Sequence, residues 1–194
     1  MRKFKVDSML LCTFICATLY SATYPYIYKL VIAAVSDRLL AVNQIVECLS
    51  IVFFGEVWKR NKKLFNHYPV LCIIESIASI GLAVYTVLTQ NMVGYYILNT
   101  LIYALITRNI ICGGIKLKAL RYSSTEETRE RFDNNNNSVS SIATILGSLI
   151  AMVLNLNFST MIIIAILGNT IDNMFYIYIY KCETRYTKDG SDQH

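Results

Sequence analysis

Charge is scarce in this sequence. Asp, Glu, Lys and Arg make up 16% of its 194 residues, where a soluble domain carries about 25%. The missing charges are missing in blocks, which leaves apolar runs long enough to cross a bilayer. Histidine is scarcer still: there are two, His67 and His194, and both lie outside the apolar runs. No intramembrane Ser–His pair is therefore available. No His-Glu-x-x-His metal motif, phosphate-binding glycine loop or Cys/His cluster occurs either. An enzyme is the least favoured class, and neither cofactor nor metal is expected. The six cysteines form no Cys-x-x-Cys pair and lie mostly within the runs. They read as small apolar packing residues rather than as a zinc or disulfide framework.

What is present is hydrophobic: 55% of the residues, with a mean hydropathy of +0.44. A hydrocarbon core of roughly 30 Å needs about 20 apolar helical residues. Six runs meet that need, near 9–32, 39–57, 69–89, 92–115, 138–156 and 158–180. They are continuously apolar rather than alternating with period two, which disfavours a transmembrane barrel. The expectation is an all-α integral membrane protein, one six-helix domain over 1–194, with a polar tail at 181–194 that is disordered or surface-lying. The N-terminal cations and the first run look superficially like a signal peptide, but the run is long and lacks a small-residue cleavage site. It reads as an uncleaved first span.

The cations set the orientation. Gly55-Glu56-Val57-Trp58-Lys59-Arg60-Asn61-Lys62-Lys63 packs four of them into five positions directly after the second run. With Arg2, Lys3, Lys5, the 116–131 segment and the tail, 15 of the 18 cations fall on one side. Basic loops are retained inside, so both termini are expected to be cytoplasmic in the cell membrane. The net charge of +5 then reflects span ends meeting headgroups, and nucleic acid is not an expected partner. Trp58 and Tyr68, the group Tyr20, Tyr24, Tyr26 and Tyr28, and Tyr176, Tyr178 and Tyr180 read as interfacial anchors. Pro25 suits a kink or a frayed end, Pro69 a first helical turn. The asparagine run 134–137 reads as capping and linker.

Four charged residues fall well inside the runs, away from their ends: Glu47, Glu75, Arg108 and Asp172. Each opposes insertion by about 2.5–3.5 kcal/mol, against about −0.3 to −0.6 for each Leu or Ile. At about 1.5 Å per residue all four reach a similar depth in the inner half of the bilayer. The expectation is a buried polar layer with Arg108 as its cation. Intramembrane charges default to a functional reading, here coupling or substrate binding. The bland alternative has Arg108 snorkelling to headgroups.

With these positions in hand, the chain resembles one half of a major facilitator superfamily transporter. The loop from Gly55 to Leu64 is similar to the family's Gly-x-(Leu)-x-Asp-Arg-x-Gly-Arg-Lys pattern, with Gly55, Arg60 and Lys63 matching and Lys59 in place of the acid. Arg108-Asn109-Ile110-Ile111-Cys112-Gly113-Gly114 is similar to the efflux branch's Arg-x-x-Gln-Gly-x-Gly, through Arg108 and Gly114. Ala143-x-x-x-Gly147-Ser148 resembles the antiporter motif through Gly147, and Glu126-Glu127-x-Arg129-x-Arg131 looks like the family's fourth loop. The resemblance implies that Arg108 takes part in proton coupling and that Gly55, Arg60 and Lys63 belong to a conformational gate. It also implies close helix packing at Gly147 and Gly114.

It covers six of the usual twelve helices, and in such transporters the site lies between halves. The expected function is therefore an efflux-like secondary transporter of a small molecule or peptide, working as a homodimer or with a second half. The alternative class is a membrane binding or accessory protein without its own cycle: an immunity protein, a vitamin-capturing importer subunit, or a truncated transporter. The charge asymmetry makes one prediction. In intact cells an impermeant maleimide should label Gln90→Cys and leave Asn61→Cys untouched until the membrane is permeabilised; the reverse pattern would invert the topology.

Overall fold

A computed structural model of the chain describes residues 8–121, 126–153 and 157–191. Among them no residue is in a strand. The helices are α1 (Ser8–Ala34), α2 (Asp37–Arg60), a 3-10 turn (Lys62–His67), α3 (Tyr68–Thr89), α4 (Met92–Ile102), a π-turn (Tyr103–Thr107), α5 (Arg108–Arg121), α6 (Glu126–Val153) and α7 (Phe158–Ser191). α4, the π-turn and α5 run on as one span. That gives six helices long and apolar enough to cross a membrane, the architecture of a multi-pass membrane protein.

Local chemistry explains the connections. Asn91 and Asn157 accept from the backbone N–H groups of Gly94 (2.9 Å) and Thr160 (2.8 Å), capping the fourth and sixth spans. Gln90 takes a left-handed φ of 51° to end α3. Pro69 occupies the first turn of α3. Pro25 lies inside α1, which continues past it to Ala34; lacking an N–H, it leaves the Ser21 carbonyl without its helical donor.

Three boundaries differ from the sequence reading. α6 begins at Glu126, so the asparagine run 134–137 is helical rather than capping, and Asn136 accepts a 2.8 Å hydrogen bond from Thr13 of α1. α7 continues to Ser191, so the polar tail is helical to that point. The fourth span extends to Arg121, whose guanidinium meets Glu183 at 3.2 Å. In each case a polar stretch continues a helix already nucleated by an apolar one, since elongation is far easier than nucleation.

The packing pattern is informative. Span one packs on spans five, six and four; span three on six and four; span two on four. Consecutive spans one–two, two–three, four–five and five–six make at most incidental contact. Exchanging spans one, two, three with four, five, six turns this set of pairs into itself; a small contact of α5 with α7 has no counterpart. Because short connections alternate the direction of successive spans, the exchange also inverts them. Spans two and five, which exchange, are both peripheral: in α2 only Ser50 and Trp58 are buried, and α6 packs chiefly on α1. Much of their apolar surface faces outward, Val52 at 73% and Met152 at 80% exposure.

Two apolar clusters close the ends of the bundle. At the basic end, Trp58, Phe65, Tyr68, Leu117, Phe132 and Ile179 pack together. At the opposite end, Ile27, Val31, Ala83, Met161 and Ile162 form a second layer. Trp58 and Tyr68 are thus core residues and not interfacial anchors. Trp58 donates to Asn109 Oδ1 at 3.1 Å, and Tyr68 is fully buried against Trp58, Phe65 and Tyr176. An aromatic ring beside a basic loop can face headgroups or the bundle axis, and a partner for the indole N–H decides it here.

Gly147 lies where α6 crosses α1. A Cβ there would overlap the Thr18 carbonyl oxygen and come within 2.8 Å of Ser21 Cβ, whereas a Cβ on Gly55 meets nothing within 4 Å. Gly147→Ala should therefore lower the thermal unfolding midpoint of the detergent-purified protein, by an overpacking cost of about 1–3 kcal/mol. Gly55→Ala should leave it unchanged or raise it slightly through helix propensity.

Candidate functional site: an acidic cavity at mid-bundle

Between the two apolar clusters lies a cavity of about 580 Å³. Its walls come from the middle of their helices: Cys16 to Ile27 of α1, Glu75 to Leu82 of α3, Tyr95 to Thr107 of the fourth span and Ile162 to Asp172 of α7, with Glu47 from α2. Three carboxyl groups, Glu47, Glu75 and Asp172, line it, and among the described residues no Lys, Arg or His does.

Each acid has a local partner. Glu75 is 3% exposed and accepts a hydrogen bond from Thr107 Oγ1, with Asn169 and Asn173 beside it. Those two amides belong to a polar seam between α3 and α7, donating to Ser79 (2.8 Å) and Ser76 (3.1 Å). Serine, asparagine and glutamate recur there at helical spacing, so one stripe of α3 meets one stripe of α7. Glu47 accepts from Asn43 at 2.9 Å, one turn earlier on α2. Asp172 accepts from Cys12 Sγ at 3.2 Å across the α1–α7 contact.

Arg108 stands outside this arrangement. It does not line the cavity, and among the described residues no ion pair joins it to the three acids. Its guanidinium lies over the Tyr103 ring, 4.7 Å from the centroid, and its Nε is buried without a hydrogen-bond partner. The π-turn accounts for the displacement. The Arg108 N–H bonds the Tyr103 carbonyl, five residues back, and the extra residue rotates everything after it by about 100° relative to an unbroken α-helix. Tyr103 and Thr107 are thereby presented to the cavity and Arg108 is not. The four-residue polar layer expected from the sequence is a layer of three acids.

The residues assigned to a gate are not drawn into the bundle. Arg60 pairs with Glu56 on its own helix at 2.8 Å, Lys63 is exposed, and Gly55 has open space beside it. The inward contacts of that segment come from Trp58, Phe65 and Tyr68 instead. Of the small residues, Gly114 makes ordinary contact with Tyr176 and Tyr68, while its neighbour Gly113 carries the close approach. A Cβ on Gly113 would overlap the Tyr68 ring and come within 2.8 Å of Trp58.

Sequence reasoning also missed the tyrosine wall. Tyr20, Tyr24 and Tyr28 repeat every four residues and stack along α1, with centroids 4.7 and 5.6 Å apart. Tyr20 and Tyr24 line the cavity with Tyr95 and Tyr103. The i, i+4 spacing was the available signal.

No protein-family model, curated protein or solved structure matches this chain.

The Thr107–Glu75 bond ties the π-turn to α3. Thr107→Val should destabilise the protein by about 1 kcal/mol, the scale of interhelical hydrogen bonds in bilayers. In a Glu75→Leu background the same change should cost less, a coupling that a double-mutant cycle on unfolding in detergent would read.

Proposed function

We propose that this chain is a half-size secondary transporter of small organic cations, with the mid-bundle cavity as its binding site. One observation carries the reading: three carboxyl groups line a cavity that has no cation among the described residues of its wall. A carboxylate in hydrocarbon needs compensation, and a bound cation supplies it while the solute gains what it loses on leaving water. Tyr20, Tyr24, Tyr95 and Tyr103 add ring faces, which attract an ammonium or similar group. The volume lies within the roughly 300–1,000 Å³ common for small-molecule sites.

Two features support a transporter over a static receptor. The span-packing pattern is almost unchanged when the two halves of the chain are exchanged and inverted, the relation on which many secondary transporters build alternating access. The site sits at mid-bundle between two separate apolar layers, where opening either layer would expose it to one side. The protein lies in the cell membrane with both termini cytoplasmic, on the charge asymmetry. The major-facilitator plan and the efflux direction rest on the motif resemblance.

The second reading is a membrane binding subunit without its own cycle, for which the same cavity would serve as the site. A homodimer remains the arrangement in which a transport cycle of the major-facilitator kind would operate.

Flux separates the two. Purified protein in liposomes should take up ethidium, a monovalent organic cation, saturably. Glu75→Gln should lower that flux at least tenfold, Glu47→Gln and Asp172→Asn several-fold, and Arg108→Gln less than twofold. Binding without flux would select the accessory reading, and flux indifferent to the three acids would remove the cavity as the site.

A further inference from the structure

Cys12 and Cys16 stand one turn apart on α1, and Asp172 faces them from α7. The two sulfurs are 3.8 Å apart, and Asp172 Oδ1 is 3.2 Å from Cys12 Sγ. One ligand atom from each of the three side chains lies within 4.8 Å of the other two. We infer that Cys12, Cys16 and Asp172 form a binding site for a zinc-class divalent ion.

The spacing carries the inference. With a Zn–S bond of about 2.3 Å, two thiolates on one tetrahedral ion lie about 3.8 Å apart. A thiolate and a carboxylate oxygen on the same ion lie about 3.6 Å apart. The sulfur pair already has the first separation, the Asp172–Cys12 pair lies a few tenths of an ångström inside the second, and the Asp172–Cys16 pair, within 4.8 Å, closes on coordination by up to about 1.2 Å. Two sulfurs and one carboxylate suit Zn2+ or Cd2+ and are a poor set for Mg2+ or Ca2+, which take oxygen ligands. Cys12 donates to Asp172 at 3.2 Å and Cys16 to the Gly168 carbonyl at 3.6 Å. Coordination releases those two protons to water and replaces them with the ion, whose charge of two is then met by two thiolates and a carboxylate.

The location provides an entry path. Cys16 and Asp172 line the central cavity, while Cys12 and Asp172 line a void of about 20 Å³ toward the basic end. The ion would therefore sit in the wall between the two, with three protein ligands and a fourth position open to the cavity. That is the coordination number of an exchangeable zinc site, since structural sites usually close with four protein ligands. The inference does not depend on the transport reading, because binding is measured without flux.

The test uses the full chain purified in detergent under reducing conditions, with Zn2+ as the probe. One Zn2+ per chain should remain bound after removal of the excess. Cys12→Ser combined with Cys16→Ser should lose it, Asp172→Asn should weaken it about tenfold or more, and Cys48→Ser combined with Cys182→Ser should keep it. Cd2+ should reproduce the stoichiometry and produce a sulfur-to-metal charge-transfer absorption that the first double variant lacks. A readout on the unaltered protein needs no variant: bound Zn2+ should slow alkylation of Cys12 and Cys16 by N-ethylmaleimide, followed by peptide mass, and leave Cys48 unaffected. Absence of stoichiometric Zn2+, or equal alkylation of Cys12 and Cys16 with and without it, would overturn the assignment.

Discussion

A polar group at the middle of a bilayer has no bulk water to turn to, and every feature of this bundle follows from that constraint. Glu75 meets it with Thr107 and two asparagines on the neighbouring helix, Glu47 with an asparagine one turn away, and Asp172 with a thiol. Within the described cavity wall none of the three meets a cation, and Lys118 approaches only Asp172, from the small void toward the basic end. Their common solution is to face a shared cavity, the feature on which the proposed cation reading rests. Apolar layers lie above and below that cavity, so the same constraint also fixes where the core must be packed.

The six spans were legible because hydrophobicity over about 20 residues has one economical outcome in a bilayer. Their ends were less legible. Helices continued past the apolar edge at Glu126, Arg121 and Ser191, since polar residues of good propensity elongate a helix without needing to be buried. The three acids could be picked out by their cost alone. Their grouping without Arg108 could not, because it depends on a π-turn that no residue pattern announces. One inserted residue reassigns every side chain downstream to a new face.

The aromatic residues teach a related lesson. Tyrosine and tryptophan near a basic loop satisfy the interfacial pattern whether they point to headgroups or to the axis. Trp58 is decided by Asn109, fifty-one positions away in the chain, and Cys12 by Asp172, farther still. Sequence spacing carries i, i+4 relations such as Tyr20–Tyr24, but partners on distant helices have no local signature. The shift from Gly114 to Gly113 has the same origin, because which glycine meets the Tyr68 ring depends on rotation about the helix axis.

The near-absence of contact between span one and span two, and between span two and span three, has a consequence for biogenesis. A chain enters the bilayer from its N-terminus, and α1 and α2 emerge with no sequential neighbour to dock against. The chief partners of α1 are α6 and α7, the last helices to arrive. Until then the small faces around Ser21 and Ala22, and the Ser21 carbonyl left without a donor by Pro25, must wait in lipid. Long-range closure of this kind is intrinsically slow. Such an ordering makes the half-assembled chain a natural client for membrane chaperones, and a truncation before Glu126 would strand its central helix.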